Sequence, residues 1–164
     1  MLRDKNLIPL SHQHQHALGL CVRIDRASPI AETDLDAWQA EVSQHFRNEL
    51  TIHFAAEEQV LFPTARGFAE LIPLIDDLLA DHAWLRDRLA LVEDRRISAD
   101  SLLGFAHRLS AHIRKEERQL FERVQQLMSK DALALLGRQL DDALKDVEQS
   151  CSVPTAATRL QAAK

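Results

Sequence analysis

The stretch His53-Phe-Ala-Ala-Glu57-Glu58-Gln-Val-Leu61-Phe62 decides the fold, because a near copy of it occurs at residues 112–121. The copy reads His112-Ile-Arg-Lys-Glu116-Glu117-Arg-Gln-Leu120-Phe121. In both stretches the histidine and the first glutamate are four residues apart, so on a helix the two side chains lie on one face. Two such helices facing each other would bring two imidazoles and two carboxylates to one point. The repeat therefore predicts a metal site between two helices.

The composition of the chain predicts an all-α protein. Of its 164 residues 46% are hydrophobic, and it contains only four Gly, five Pro and no Tyr. Good helix formers dominate, and β-branched residues are sparse. A chain of this length is expected to form one domain and is long enough to bury a core.

Charge, hydropathy and cysteine content exclude several classes of protein. The formal net charge of -5 gives no reason to expect nucleic acid or an anionic membrane surface as a partner. No apolar run approaches the ~18 residues that a membrane helix needs, and the N-terminus lacks the apolar segment of a signal peptide. Cys21 and Cys151 are too few and too far apart in sequence for a disulfide framework. We therefore expect a soluble, cytoplasmic protein, either a monomer or a homodimer.

Hydrophobic periodicity predicts four long helices, at about residues 11–27, 34–62, 72–93 and 98–128, and a fifth that opens at Asp131. Ser11 and Ser98 are the expected N-caps, and Pro63 is expected to end the second helix. Long amphipathic helices joined by short loops predict an antiparallel up-down-up-down four-helix bundle with an additional C-terminal helix. The fifth helix is expected to pack outside the first four or to build a dimer contact.

The domain is expected to cover residues 1–149, that is, the bundle and the fifth helix. Residues 150–164 are small and polar and have no apolar stripe, so we expect a flexible C-terminal tail.

Each of the four long helices carries one histidine on its apolar stripe, and the second and fourth add a glutamate one turn later. A single histidine in such a stripe is usually a hydrogen-bonded core residue, so a buried His/Glu hydrogen-bond network is the alternative to a metal site. Two glutamates in one core favour the metal, because buried Glu is rare unless it is paired or metal-bound. The candidate metal ligands are His14, His53, Glu57, His82, His112 and Glu116.

The three histidines near the N-terminus cannot all face inward, because successive helical residues are ~100° apart. His14 lies closest to the apolar stripe and is the expected ligand. His16 is its alternative, and His12 is expected to be solvated or to support a ligand. His45 and His107 lie off the stripes and are expected at the surface.

Three acidic residues are sequence neighbours of the candidate ligands. Glu58 and Glu117 follow Glu57 and Glu116, about 100° further round the helix. A solvated or salt-bridged role is expected for both, and a supporting contact to a metal ligand is the alternative. Asp81 precedes His82, and it is interpreted either as an acceptor behind a ligand or as an ordinary surface acid.

The ligand types indicate which metal would bind. Four imidazoles and two carboxylates without a thiolate exceed what one tetrahedral zinc ion takes, and they suit a pair of iron or manganese ions. Carboxylates can bridge two ions, so Glu57 and Glu116 are expected between the ions, with two histidines on each. Iron is the expected metal for redox or dioxygen chemistry, although manganese or zinc can occupy similar ligands.

These motifs together resemble the hemerythrin-like, or HHE cation-binding, family. The resemblance covers about residues 7–128 and rests on both His-x-x-x-Glu motifs, on Asp81-His82 and on Leu10-Ser11-His12-Gln13-His14-Gln15-His16-Ala17-Leu18. It implies a four-helix bundle with a non-haem di-iron centre bridged by carboxylates and an oxo or hydroxo group. Hemerythrins proper have a second histidine one turn away on the third helix, where this chain has Leu78 and Arg86. The resemblance is therefore to the bacterial variant with four His and two Glu.

The resemblance implies two classes of function. In the first, the di-iron site binds or senses dioxygen, nitric oxide or peroxide, or handles iron, without catalytic turnover. The alternative is a di-iron enzyme of the peroxidase or oxidase kind, or a factor that repairs iron–sulfur centres. The same six ligands serve both classes, so the sequence leaves the physiological ligand open. Ferritin-like iron storage is disfavoured, because the Glu-x-x-His motif of those proteins does not occur.

Overall fold

Five long helices account for most of the chain in the computed structural model, which describes residues 2–145 and residue 157. Helix α1 spans Ile8–Ala27, α3 spans Ile72–Glu93 and α5 spans Lys130–Ala143. Helices α2 (32–65) and α4 (99–127) are each built from consecutive helical segments with no turn between them. The described residues contain no strand, so the all-α prediction is confirmed for them.

Helices α2 and α4 both widen into a π-helical turn at the glutamate of the His-x-x-x-Glu motif. The segments of α2 are Glu32–His45, the π turn Phe46–Leu50, Thr51–Ala56, the π turn Glu57–Leu61 and Phe62–Ala65. Those of α4 are Ala99–Lys115, the π turn Glu116–Leu120 and Phe121–Leu127. A π turn has more residues per turn than an α-helix and is frequent at functional sites. Counting 100° per residue therefore fails from these glutamates onwards.

Several helix ends lie close to where the sequence predicts them. Helix α3 has the predicted bounds, and the Ser98 side chain caps α4 by accepting a hydrogen bond from the amide of Ser101. Helix α5 begins one residue before Asp131, because the Ser129 side chain caps it by accepting from the amide of Ala132.

Two predicted helix ends were wrong, and each error involves a proline. Helix α1 begins at Ile8 rather than at Ser11, because the 3-10 turn Lys5–Leu7 leads directly into it. Helix α2 continues past Pro63 to Ala65. Pro9 lies in the first turn of α1, where no helical hydrogen bond requires its amide donor. Pro63 lies just after the π turn Glu57–Leu61, and the helix continues for two residues beyond it.

Two hydrophobic clusters occupy the bundle, one before and one after the polar residues of each long helix. In α1, for example, Leu10 belongs to one cluster and Ala17 to the other, with His14 between them. In α3 the same arrangement places His82 between Leu78 and Leu85. Helix α1 packs against α2 and α4, and α3 packs against α2 and α4. The polar residues therefore form a layer between two apolar cores.

Helix α5 packs onto the chain itself. The helix and the residue that follows it bury four leucines in the second cluster, and the helix contacts the Lys5–Leu7 turn and the α2 segments Thr51–Ala56 and Glu57–Leu61. The buried leucines are Leu133, Leu136, Leu140 and Leu144. Val147, which the sequence assigns to the same apolar face, lies outside the described residues.

The predicted tail, 150–164, lies outside the described residues except at one position. Ala157 is fully buried in the first cluster, which also contains Ala17 and Cys21. None of the described helices combines the length and the hydropathy that crossing a membrane would require.

The close contact between α5 and the N-terminal turn depends on Gly137. A Cβ atom at this position would lie 2.7 Å from the Cβ of Asn6 and 2.3 Å from its Oδ1, whereas a Cβ at Gly104 would meet nothing within 4 Å. Ala is the better helix former by about 1 kcal/mol, so Gly104→Ala should raise the melting temperature. Gly137→Ala should lower it, because overpacking typically costs ~1–3 kcal/mol.

Thermal unfolding of both variants, followed by circular dichroism, tests this contact. Equal stabilisation by the two substitutions would contradict the packing of α5 on the N-terminal turn.

Candidate metal centre

Six polar side chains lie in the layer between the two apolar clusters, and none is more than 1% exposed. They are the six candidate ligands of the sequence, and the structure brings all of them together: His14, His53, Glu57, His82, His112 and Glu116. The Nε2 atoms of His14 and His53 are 2.9 Å apart, and those of His82 and His112 are 3.1 Å apart. The imidazoles thus point inward from all four long helices.

The six side chains form two overlapping groups that share both glutamates. One group has the histidines of α1 and α2 and the other those of α3 and α4, and within each group the ligand atoms lie within 4.8 Å of one another. Oε1 of Glu57 is 3.2 Å from the Nε2 atom of His53, and Oε2 of Glu57 is 3.4 Å from that of His82. One carboxylate therefore faces both pairs of imidazoles.

Glu116 occupies the equivalent place on the other side. Its Oε2 atom is 3.2 Å from the Nε2 atoms of both His14 and His112. All four carboxylate oxygens of Glu57 and Glu116 are buried, and none accepts a hydrogen bond of good geometry. A purely hydrogen-bonded His/Glu network would satisfy these oxygens, because unpaired buried carboxylates are costly. The donor set therefore fits a cation better than it fits such a network.

Comparison with known families gives an independent result. Residues 9–124 match the family model described as the Hemerythrin HHE cation binding domain, which is more than half of the chain. The chain belongs to this family. Comparisons with curated proteins and with solved structures give no match. The hemerythrin-like domain and its buried His/Glu groups together suggest a metal cofactor.

In the metal-free hemerythrin-like site, protonated imidazoles supply the positive charge beside the glutamates. Burial disfavours the imidazolium, but Glu116 and Glu117 outweigh it and raise the pKa of His14 to about 9. Around His112, burial is outweighed by Glu116 and Asp81, and the pKa rises to about 10. These imidazoles in turn hold the pKa of Glu116 well below its ordinary value in spite of burial.

For Glu57 and His53 the pKa values shift toward the uncharged forms. Burial, together with the charge of Glu116, raises the pKa of Glu57 to about 7. Burial and the charge of His14 lower the pKa of His53 well below 6.5. The two glutamates thus cannot both stay ionised here without positive charge between them.

Behind the metal-facing atoms, every imidazole places its Nδ1 atom against a polar side chain from a neighbouring helix. Three of these partners are acids and one is an amide. Hydrogen bonds join His14 to Glu117 at 2.7 Å, His82 to Glu58 at 2.7 Å and His53 to Gln13 at 2.6 Å. Asp81 lies 3.5 Å from Nδ1 of His112, as an ion pair and not as a hydrogen bond of good geometry. Such partners fix the orientation of metal-binding rings.

Glu58 and Glu117 are salt-bridged, as predicted, but they also contact the imidazoles. Arg86 donates to Glu58, and Arg3 donates to Glu117. The imidazoles that they contact belong to neighbouring helices, so the supporting contact, which was the alternative interpretation, occurs in addition to the salt bridge. Asp81 is 1% exposed, so the surface interpretation of this residue was wrong.

The remaining histidines lie outside the cluster. His12 and His16 are exposed, so His14 is the inward member of the N-terminal group. His107 is exposed as predicted. His45 is half-buried rather than exposed, and burial lowers its pKa.

Sequence reasoning missed two buried residues near the site, Gln13 and Glu49. Gln13 is 8% exposed and Glu49 1% exposed. Oε2 of Glu49 lies 3.0 Å from Nδ1 of His16. The spacing of Glu49, four residues before His53, is the signal that would have placed it on the inward face. Gln13 gives no such signal, because a glutamine on a helix is usually exposed.

The pKa values of His14 and His112 predict how the stability of the metal-free protein depends on pH. A histidine whose pKa is raised from 6.5 to about 9 or 10 stabilises the fold while it is protonated. That contribution is complete below pH 6.5 and is lost as the pH rises through 9 and 10. We therefore expect the metal-free protein to lose a few kcal/mol between pH 7 and pH 10, since one unit of pKa is ~1.4 kcal/mol.

Denaturant titrations with chelator present measure this loss, and His14→Gln should reduce it. Metal binding should tighten over the same pH interval, because the ion displaces these protons. If the stability of the metal-free protein were constant or rose from pH 7 to pH 10, the conclusion that His14 and His112 are protonated would be contradicted.

Proposed function

We propose that the protein binds two metal ions, with Glu57 and Glu116 as bridging carboxylates and two histidines on each ion. The observation that carries the proposal is that both glutamates belong to two ligand groups at once. One tetrahedral ion takes four ligands and would leave two of the six unused. The proposed ligands are His14, His53, Glu57, His82, His112 and Glu116.

The proposed scaffold is an antiparallel up-down-up-down four-helix bundle with α5 added outside it, all in one domain of residues 1–149. Short connections, at residues 28–31 and 94–98, support antiparallel neighbours. The four long helices also contact one another in a ring, α1 with α2, α2 with α3, α3 with α4 and α4 with α1.

We propose iron as the metal, with manganese or zinc as possible substitutes. Imidazole and carboxylate donors without thiolate suit iron, and neither ligand group contains a cysteine. Cys21 is a buried free thiol whose pKa burial raises to about 12. When bound, an iron pair supplies reversible redox change and coordination positions for a small ligand.

The proposed role is to bind or sense dioxygen, nitric oxide or peroxide. The complete burial of the six ligands supports a ligand of this small size. Aromatic rings add to the apolar surroundings: Phe54 stacks on His82 with ring centroids 3.8 Å apart, and Phe121 stacks on His14 at 5.5 Å. The buried free thiol and the net charge of -5 support a cytoplasmic protein without nucleic acid as partner.

Counting bound iron per chain tests the bridging assignment. Wild-type protein should bind about two ions at saturation, and Glu57→Gln and Glu116→Gln should each bind one or none, because a bridge is lost. Glu58→Gln is the matched control, since this acid contacts His82 and not the metal-facing atoms. It should retain two ions at saturation. Two ions in Glu57→Gln, with folding verified by circular dichroism, would contradict the bridge.

The optical spectrum of the iron-loaded protein tests the proposed role. Addition of dioxygen or nitric oxide to the reduced protein should change the spectrum, and removal of the gas should restore it. Peroxide should be consumed in proportion to the protein present. Continuous consumption over many turnovers would instead indicate a peroxidase-like enzyme.

A further inference from the structure

The two halves of the sequence repeat build matching supports behind the site. Glu117 of α4 accepts from Nδ1 of His14 on α1, and Glu58 of α2 accepts from Nδ1 of His82 on α3, both at 2.7 Å. Glu58 and Glu117 are equivalent residues of the repeat. An arginine holds each of them, Arg86 for Glu58 at 2.7 Å and Arg3 for Glu117 at 2.5 Å. The supports of His14 and His82 are therefore the same in kind.

The supports of the other two histidines differ. The residue before each histidine of α1 and α3 lies against the next helix. Gln13 is hydrogen-bonded to Nδ1 of His53 at 2.6 Å, and the Asp81 carboxylate forms an ion pair with His112, 3.5 Å from its Nδ1 atom. Gln13 and Asp81 occupy equivalent positions, one before His14 and one before His82. One half of the site thus has a neutral amide where the other half has a carboxylate.

Asp81 is held as a charged group, whereas Gln13 is neutral. Arg108 donates to Oδ1 of Asp81 at 2.7 Å, and Lys115 donates to its Oδ2 at 2.9 Å. Both cations thus form ion pairs with the buried carboxylate of Asp81. Glu49, a buried acid four residues before His53, contacts Nδ1 of His16 at 3.0 Å.

The neutral support has a consequence for metal binding. A histidine that binds metal through Nε2 keeps its hydrogen on Nδ1, and the acceptor of that hydrogen sets how basic the ring is. A carboxylate makes the ring a stronger donor and adds negative charge near the ion, whereas an amide does neither to the same degree. Changing such a partner typically alters metal affinity by about 10–100-fold.

We propose that the two metal positions are unequal, and that the His82/His112 position binds its ion first while the His14/His53 position is weaker. This inference rests on the proposed two-ion site. Gln13 and Asp81 are the positioning residues that set the difference, because the Glu58 and Glu117 supports cancel between the halves. At limiting metal the protein then carries one ion, held by His82, His112 and the two glutamates, and the second ion responds to metal supply.

Competition between the full chain and a chromophoric chelator for Fe(II), under anaerobic conditions, tests the proposal. Wild-type protein should show two binding steps that differ by about 10–100-fold. Gln13→Glu should tighten the weaker step alone and bring the two together. Asp81→Asn should weaken the tighter step alone.

Matched variants separate the local effect from a change of net charge. Gln15→Glu adds the same charge two residues from Gln13, at an exposed position, and should leave both steps unchanged. Glu58→Gln should weaken the tighter step and Glu117→Gln the weaker step, each by a similar factor. Circular dichroism verifies that every variant is folded.

Several results would overturn the inference. Two equal steps in the wild type, a shift of the tighter step by Gln13→Glu, or an equal shift by Gln15→Glu would each contradict it. Binding of fewer than two ions at saturation would overturn the two-ion site as well, so the two failures are distinguishable.

Discussion

The buried carboxylates of Glu57 and Glu116 impose the constraint on which the rest of the structure depends. Both are 0% exposed, and their oxygens have no hydrogen-bond donor of good geometry. Negative charge in such a place requires positive charge beside it. The helices meet this requirement with four imidazoles, which hold protons or a cation. Two apolar clusters enclose the layer and exclude the water that would otherwise screen it.

The pairing of charges continues from the central carboxylates to the surface of the bundle. Three of the four inward imidazoles are hydrogen-bonded through Nδ1, and the fourth, His112, lies in an ion pair with Asp81. Basic side chains hold the acids in place, for example Arg3 on Glu117 and Arg86 on Glu58. The ring orientations thus depend on ion pairs that reach the surface of the bundle, and not only on the metal. Side chains positioned in this way would need little reorganisation to bind the proposed ions.

The sequence was sufficient to find the residues that meet in the centre, and insufficient for those behind them. The repeat and the 3.6-residue periodicity located all six candidate ligands, because a polar residue in an apolar stripe is conspicuous. The supporting contacts of Glu58 and Glu117 were only the alternative interpretation, because each contact is made to an imidazole of another helix and the spacing within one helix does not record it. The helix end predicted at Pro63 was wrong because the helix continues for two residues beyond this proline, which lies just after the π turn Glu57–Leu61. Gln13 was missed because its role depends on a contact with another helix, which no local pattern records.

Gln13 and Asp81 occupy equivalent positions of the repeat, but one is neutral and the other is charged. A carboxylate behind a metal-binding histidine is itself a buried charge, and Asp81 is stable in that place because Arg108 and Lys115 both donate to it. An amide such as Gln13 accepts the same hydrogen from an imidazole without requiring a cation. The first half of the chain therefore supports His53 at lower electrostatic cost, and the second half supports His112 with more negative charge. A duplicated scaffold can in this way make two chemically similar metal positions unequal while all six proposed ligands stay the same.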